Sequence, residues 1–105
     1  MKYNLEYLEI HYALATSFLL HAKRDILDIS YTRKHNDISI QIVLPFGVDI
    51  DAQLIQKVKS GLAGFDVHIM QLNLTIAQFN ETIGDWQPKH YQWLEHVLFS
   101  KSQVL

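Results

Sequence analysis

The sequence predicts an α+β domain in which helices cover one face of a small mixed sheet. Apolar residues recur at helical spacing near the N-terminus and again after residue 50, while from Asp25 to Leu44 they alternate with polar residues at the period of a strand. The composition supports a packed core. Of 105 residues, 49% are hydrophobic and the formal net charge is only -2, which is too apolar and too nearly neutral for a disordered chain. That length fits one domain, residues 1–105, with a frayed tail over 100–105.

The first element is a helix over residues 3–23. Tyr7, Ile10, Leu14 and Phe18 form one row, and Leu8, Tyr12, Ala15 and Leu19 form the row beside it. The apolar arc is wider than the stripe of about 100° that an ordinary surface helix buries. Such a helix either sits between layers of its own domain or packs partly on another chain. Glu6, Glu9 and His11 interrupt the stretch that a signal peptide would need before Ala13-Leu14-Ala15. The run from Ile10 to Ala22 is also shorter than the roughly 20 apolar residues of a membrane span. These features predict a soluble, cytoplasmic chain with no membrane partner.

A hairpin follows. Leu27, Ile29 and Tyr31 alternate with Asp28, Ser30 and Thr32; after the polar tip Lys34-His35-Asn36-Asp37, Ile38, Ile40, Ile42 and Leu44 alternate with Ser39, Gln41 and Val43. Pro45 and Gly47 end the second strand. Asp49 or Asp51 then caps a helix with the buried row Leu54, Ile55, Val58 and Leu62, which stops at Gly64. A third strand starts at Phe65, and its phase slips: Val67 and Ile69 share one side, Leu72 and Leu74 the other. Either a bulge near Met70-Gln71 restores the direction, or the strand is buried on both faces.

Thr75 and Gln78 form a capping box for a short helix carrying Ile76, Phe79 and Ile83, stopped by Gly84. Pro88 begins a last helix with Tyr91, Leu94, Val97 and Leu98 on its apolar side. The predicted order is α-β-β-α-β-α-α. A crossover through the second helix puts the third strand beside the first and parallel to the second, giving a three-stranded sheet in spatial order 2-1-3. The layout is similar to half of a ferredoxin-like domain, a likeness of arrangement that licenses no activity.

Chemistry-bearing motifs are sparse. The chain has no cysteine, which excludes disulfides, thiolate metal sites and cysteine nucleophiles together. No phosphate-binding glycine motif and no GxSxG elbow occurs. Gly61-Leu62-Ala63-Gly64 spells GxxG, but a strand follows it directly and no basic residue lies between the glycines, so it reads as a helix terminus. Arg33, Lys34 and His35 lie about 30 Å of strand and turn from Lys23-Arg24, so the near-neutral chain has no groove-sized basic patch for nucleic acid.

His11 and His21, ten residues apart, would point about 80° apart and sit about 15 Å apart along the helix, so they cannot share an ion. His90 and His96 diverge similarly. Asp66 and His68, two apart on a strand, project to one face together with Asp28 of the neighbouring strand. These three are the candidates for acid–base catalysis, and Asp66 and His68 for a metal site. The competing reading is a solvated polar sheet face. No cofactor is implied.

The predicted order leaves Ile38–Leu44 as an uncharged, β-prone edge protected only by Pro45. Ile38, Ile40, Gln41, Ile42 and Val43, with Tyr7, Ile10 and Leu14 of the first helix, are therefore the expected interface with another copy, a dimer first, or with another protein. Trp86 and Trp93 suit either core or interface. The expected function is a non-enzymatic interaction or self-assembly module, with an acid–base or metal-dependent enzyme using Asp28, Asp66 and His68 as the alternative.

Overall fold

The structure, a computed structural model, describes residues 9–14, 26–83 and 88–100. Residues 9–14 are helical (α1), followed by β1 (Asp28–Lys34), β2 (Asp37–Pro45), α2 (Ala52–Gly61), β3 (Asp66–Leu74), α3 (Ile76–Thr82) and β4 (His96–Ser100). The α+β class holds, but among the described residues the sheet has four strands, in the order β3-β2-β1-β4.

The hairpin forms as the alternation predicts. β1 and β2 pair antiparallel from Asp28↔Val43 to Lys34↔Asp37, leaving His35 and Asn36 to turn the chain. His35 takes a positive φ of 58°, and the Arg33 Nε–H donates to its carbonyl at 2.7 Å. The same tip anchors the next strand. Asn36 receives the Asp66 N–H on its carbonyl at 2.9 Å and donates its own Nδ2 to the Gly64 carbonyl at 3.0 Å. Gly64 itself has φ +97°, the left-handed conformation that suits glycine after a helix end.

Between these points, Asp51 caps α2 by accepting the Gln53 N–H at 2.8 Å, and Leu54, Val58 and Leu62 are buried. α2 thus returns the chain to lie parallel to β2, in unbroken register from Asp37↔Asp66 to Pro45↔Leu74. β3 is parallel to β2, as expected, but it lies beside β2 and not beside β1.

The place beside β1 is taken by β4, which reads as helix in sequence because Leu94, Val97 and Leu98 have helical spacing. The physical cause lies on β1 and β2. Their supposedly solvated side chains bind the backbone of the connecting segment: Ser30 Oγ accepts the Leu94 N–H at 3.0 Å, and Gln41 Nε2 donates to the Gln92 carbonyl at 2.9 Å. Those tertiary bonds claim groups that a helix would pair internally. Ser100, expected to fray, is the last residue of β4 and pairs with Asp28.

Both sheet faces are covered. On the first, Ile10 and Leu14 of α1 and Leu54, Val58 and Leu62 of α2 pack on Ile29, Tyr31, Ile38, Ile40, Ile42 and Leu44. On the second, Leu27, Val43 and Leu74 pack with Leu72, Phe79 and Tyr91. The two crossovers explain this. The β2–β3 connection runs over the first face towards one edge, and the β3–β4 connection runs over the second towards the other. Crossovers in opposite directions over opposite faces share one hand, so the rule that fixes one fixes both.

This double cover also resolves the phase slip in β3, whose ladder with β2 has no bulge. Val67 and Ile69 meet the first core, and Leu72 and Leu74 meet the second. Where β3 changes sides, Gln71 and Asn73 face the β2–α2 loop. Asn73 Nδ2 donates to the Pro45 and Val48 carbonyls at 2.9 and 2.8 Å, and Gln71 Oε1 accepts the Ile50 N–H at 3.3 Å. Asp49, the other candidate cap, instead accepts from Gln71 at 3.2 Å.

The capping box forms as read: the Gln78 N–H donates to Thr75 Oγ1 at 3.1 Å, and the Thr75 N–H donates to Gln78 Oε1 at 3.0 Å. Thr75→Ala removes one arm of this pair and is expected to cost about 1 kcal/mol, read as a lower urea midpoint with unchanged slope. The buried side of α3 is Phe79 and Thr82, while Ile76 and Ile83 face outward.

The new strand order corrects the expected interface. β2 is bonded on both sides, so its edge is closed within the chain. Ile38, Ile40, Ile42 and Val43 are all 0% exposed, and Gln41 is occupied by Gln92. Ile10 and Leu14 are likewise buried in the first core, whereas Tyr7 lies outside the described residues.

Candidate functional site

Three groups of residues carry potential chemistry. The first surrounds Asp28. The alternation of β1 sends Asp28, Ser30 and Thr32 to the second face, and pairing with β2 and β4 encloses the first two completely. Neither Asp28 carboxylate oxygen makes a hydrogen bond of ordinary geometry, and the same is true of the nearby indole Nε1 of Trp93 and of the buried Tyr91 hydroxyl. Burial pushes the Asp28 pKa from 3.8 up to about 6, and Ser100 and Trp93 beside it partly offset that rise by favouring the charge.

Beyond Trp93 lies an open depression of about 400 Å³ lined by Pro88, Tyr91, Gln92, Trp93 and Leu94. None of these is a general acid or base at neutral pH or an activated nucleophile. Asp28 lies behind the wall and does not line it.

Asp66 and His68 do not join Asp28. Asp28 is opposite Val43, which is opposite Leu72, so His68 is two strands away and four residues along, about 16 Å distant. His68 Nε2 instead lies 3.3 Å from Asp37 Oδ1, with both side chains well exposed. Such a surface pair is held weakly. Among the described residues no three metal-ligating side chains converge.

The second group escaped sequence reasoning. α1, β1 and β4 bring His11, Tyr31 and His96 together: His11 Nδ1 lies 2.7 Å from the Tyr31 hydroxyl, and the Tyr31 and His96 rings are 5.1 Å apart. His96 reaches Glu95 at 3.3 Å, and Glu95 also accepts from Thr32 at 3.2 Å. Residues 20 and 65 positions from Tyr31 leave no local spacing to detect. Because Tyr31 is 1% exposed, its phenol is walled off from any substrate, and the group serves to join three elements.

The third is the outer edge of β3. Since the Asp66 N–H points inward to the Asn36 carbonyl, the regular parallel ladder turns Val67, Ile69, Gln71 and Asn73 outward with both backbone groups. Among the described residues no strand pairs with this side. The nine-residue edge has no proline, lysine, arginine or bulge, the usual protections against strand addition. Met70, at its centre, is 43% exposed.

Compared with known proteins, the chain matches no family model, no curated protein and no solved structure. No helix among the described residues is long and apolar enough to cross a membrane.

Proposed function

We propose that this protein is a non-catalytic interaction module that binds an extended strand along the open edge of β3. The single observation that carries this reading is the edge itself: nine residues long, regular, and offering four outward residues whose backbone groups pair with no strand among the described residues. Strand addition gains its affinity from such main-chain bonds and its specificity from alternate side chains. The acid–base alternative has less support, because Asp28 is enclosed and lies about 16 Å from His68.

The reading is tested by selecting a displayed library of nine-residue peptides on the folded protein. Enriched peptides should be β-prone, and their binding should be lost in Val67→Pro. The Val67 N–H faces outward, so proline there removes a docking donor without removing a bond of the internal ladder. No enrichment over an unrelated domain, or binding indifferent to Val67→Pro in a variant that keeps its fold, would count against strand addition.

A further inference from the structure

We infer that the strand seated on β3 is β3 of a second copy, paired antiparallel about a two-fold axis through Met70. This rests on the reading of β3 as a docking edge and names its occupant.

Hydrogen-bond parity selects the register. The outward residues are Val67, Ile69, Gln71 and Asn73, and an antiparallel partner must set outward residues against outward residues. A centre at Met70 does so over the whole strand, pairing Val67 with the partner's Asn73 and Ile69 with the partner's Gln71. All four outward residues of each copy then exchange both backbone groups, giving about eight interchain bonds. The contact is isologous and closed, so it ends at a dimer and joins two four-stranded sheets into one.

Side chains favour the same arrangement. On the second face, Asp66 falls opposite the partner's Leu74 and His68 opposite the partner's Leu72, which keeps like groups apart. A parallel two-fold pairing would be in register and would set outward residue against outward residue, whereas a parallel ladder needs an outward residue opposite an inward one, so it forms no ladder. Met70 meets its own copy at the axis. Its exposed thioether is flexible and apolar, suited to packing against itself.

The absence of cysteine makes the test direct. At the axis Met70 faces its copy as a non-hydrogen-bonded pair, with Cα atoms about 4.5 Å apart, within disulfide range. Met70→Cys should therefore form a covalent dimer under mild oxidation. His68→Cys should not, because its two copies would lie about 13 Å apart. Light scattering over a wide concentration range should show a wild-type dimer, and Met70→Lys, which opposes two ammonium groups, should weaken it about tenfold. Circular dichroism of each variant confirms the fold.

A wild type that stays monomeric at the highest concentration, with no Met70→Cys cross-link, would overturn the inference. If peptides selected as above still bind, the edge takes a different protein and the docking reading survives. A dimer that Met70→Lys leaves intact and Met70→Cys does not trap would also overturn it, placing the contact elsewhere.

Discussion

Ile40→Lys is expected to abolish folding. Ile40 is 0% exposed on β2, paired with Tyr31 on one side and Ile69 on the other, and packed into the larger core. An enclosed lysine loses the isoleucine burial of about 2–3 kcal/mol. It must also shed its charge, and at pH 7 deprotonating a lysine whose ordinary pKa is about 10.4 costs about 4–5 kcal/mol. Together these match the whole stability of a typical domain, about 5–15 kcal/mol. Circular dichroism should show no cooperative thermal transition.

Gln41→Pro should behave alike, since in a strand bonded on both sides every N–H belongs to a ladder. The Gln41 N–H faces Ser30 across the hairpin, so this loss is expected whichever strand flanks β2 on its other side.

The error in strand order has a local origin. The hairpin, α2 and α3 were legible because their signals lie within a few residues: strict alternation through Ile38–Leu44, Asp51 before a buried row, and Thr75 with Gln78. β4 was not, because His96–Ser100 is five residues with a mixed period, and a short apolar run does not separate strand from helix. What makes it a strand lies 64 residues earlier in Ser30 and 51 residues earlier in Gln41, which hold the approach to it. Without β4, β2 falls at the edge, and the expected interface lands on residues that the fold encloses.

The same pattern governs the candidate site. Asp28 was singled out for its alternation and its companions Asp66 and His68, yet the side chains that matter to it come from Trp93 and Ser100 on the unrecognised last segment. The phase slip in β3 was readable, and one of its two explanations, burial on both faces, matches the observed cores. The open edge of β3 became visible only once β3 was seen beside β2, because the backbone direction of an outward residue follows from the pairing and not from side-chain type.

Asp28→Asn is expected to stabilise the protein at neutral pH. The folded-state pKa of about 6 lies above the ordinary 3.8, so between these values the folded chain holds a proton that the unfolded chain releases. Stability therefore falls as pH rises through this window; the cost is absent below about pH 3.8 and complete above about pH 6. A rise of that size corresponds to about 3 kcal/mol, an order-of-magnitude figure.

Asparagine keeps the shape, offers an oxygen to the Trp93 indole and carries no charge to desolvate. Urea unfolding at pH 7.5 should place the variant above the wild type by roughly 2–3 kcal/mol, with the gap closing towards pH 4. Other titrating groups affect both proteins equally, so the difference between them isolates position 28. A gap that does not change with pH would mean that Asp28 has the same pKa in the folded and unfolded chains. A variant less stable than wild type at pH 7.5 would mean that the carboxylate holds β4 against β1 through its charge.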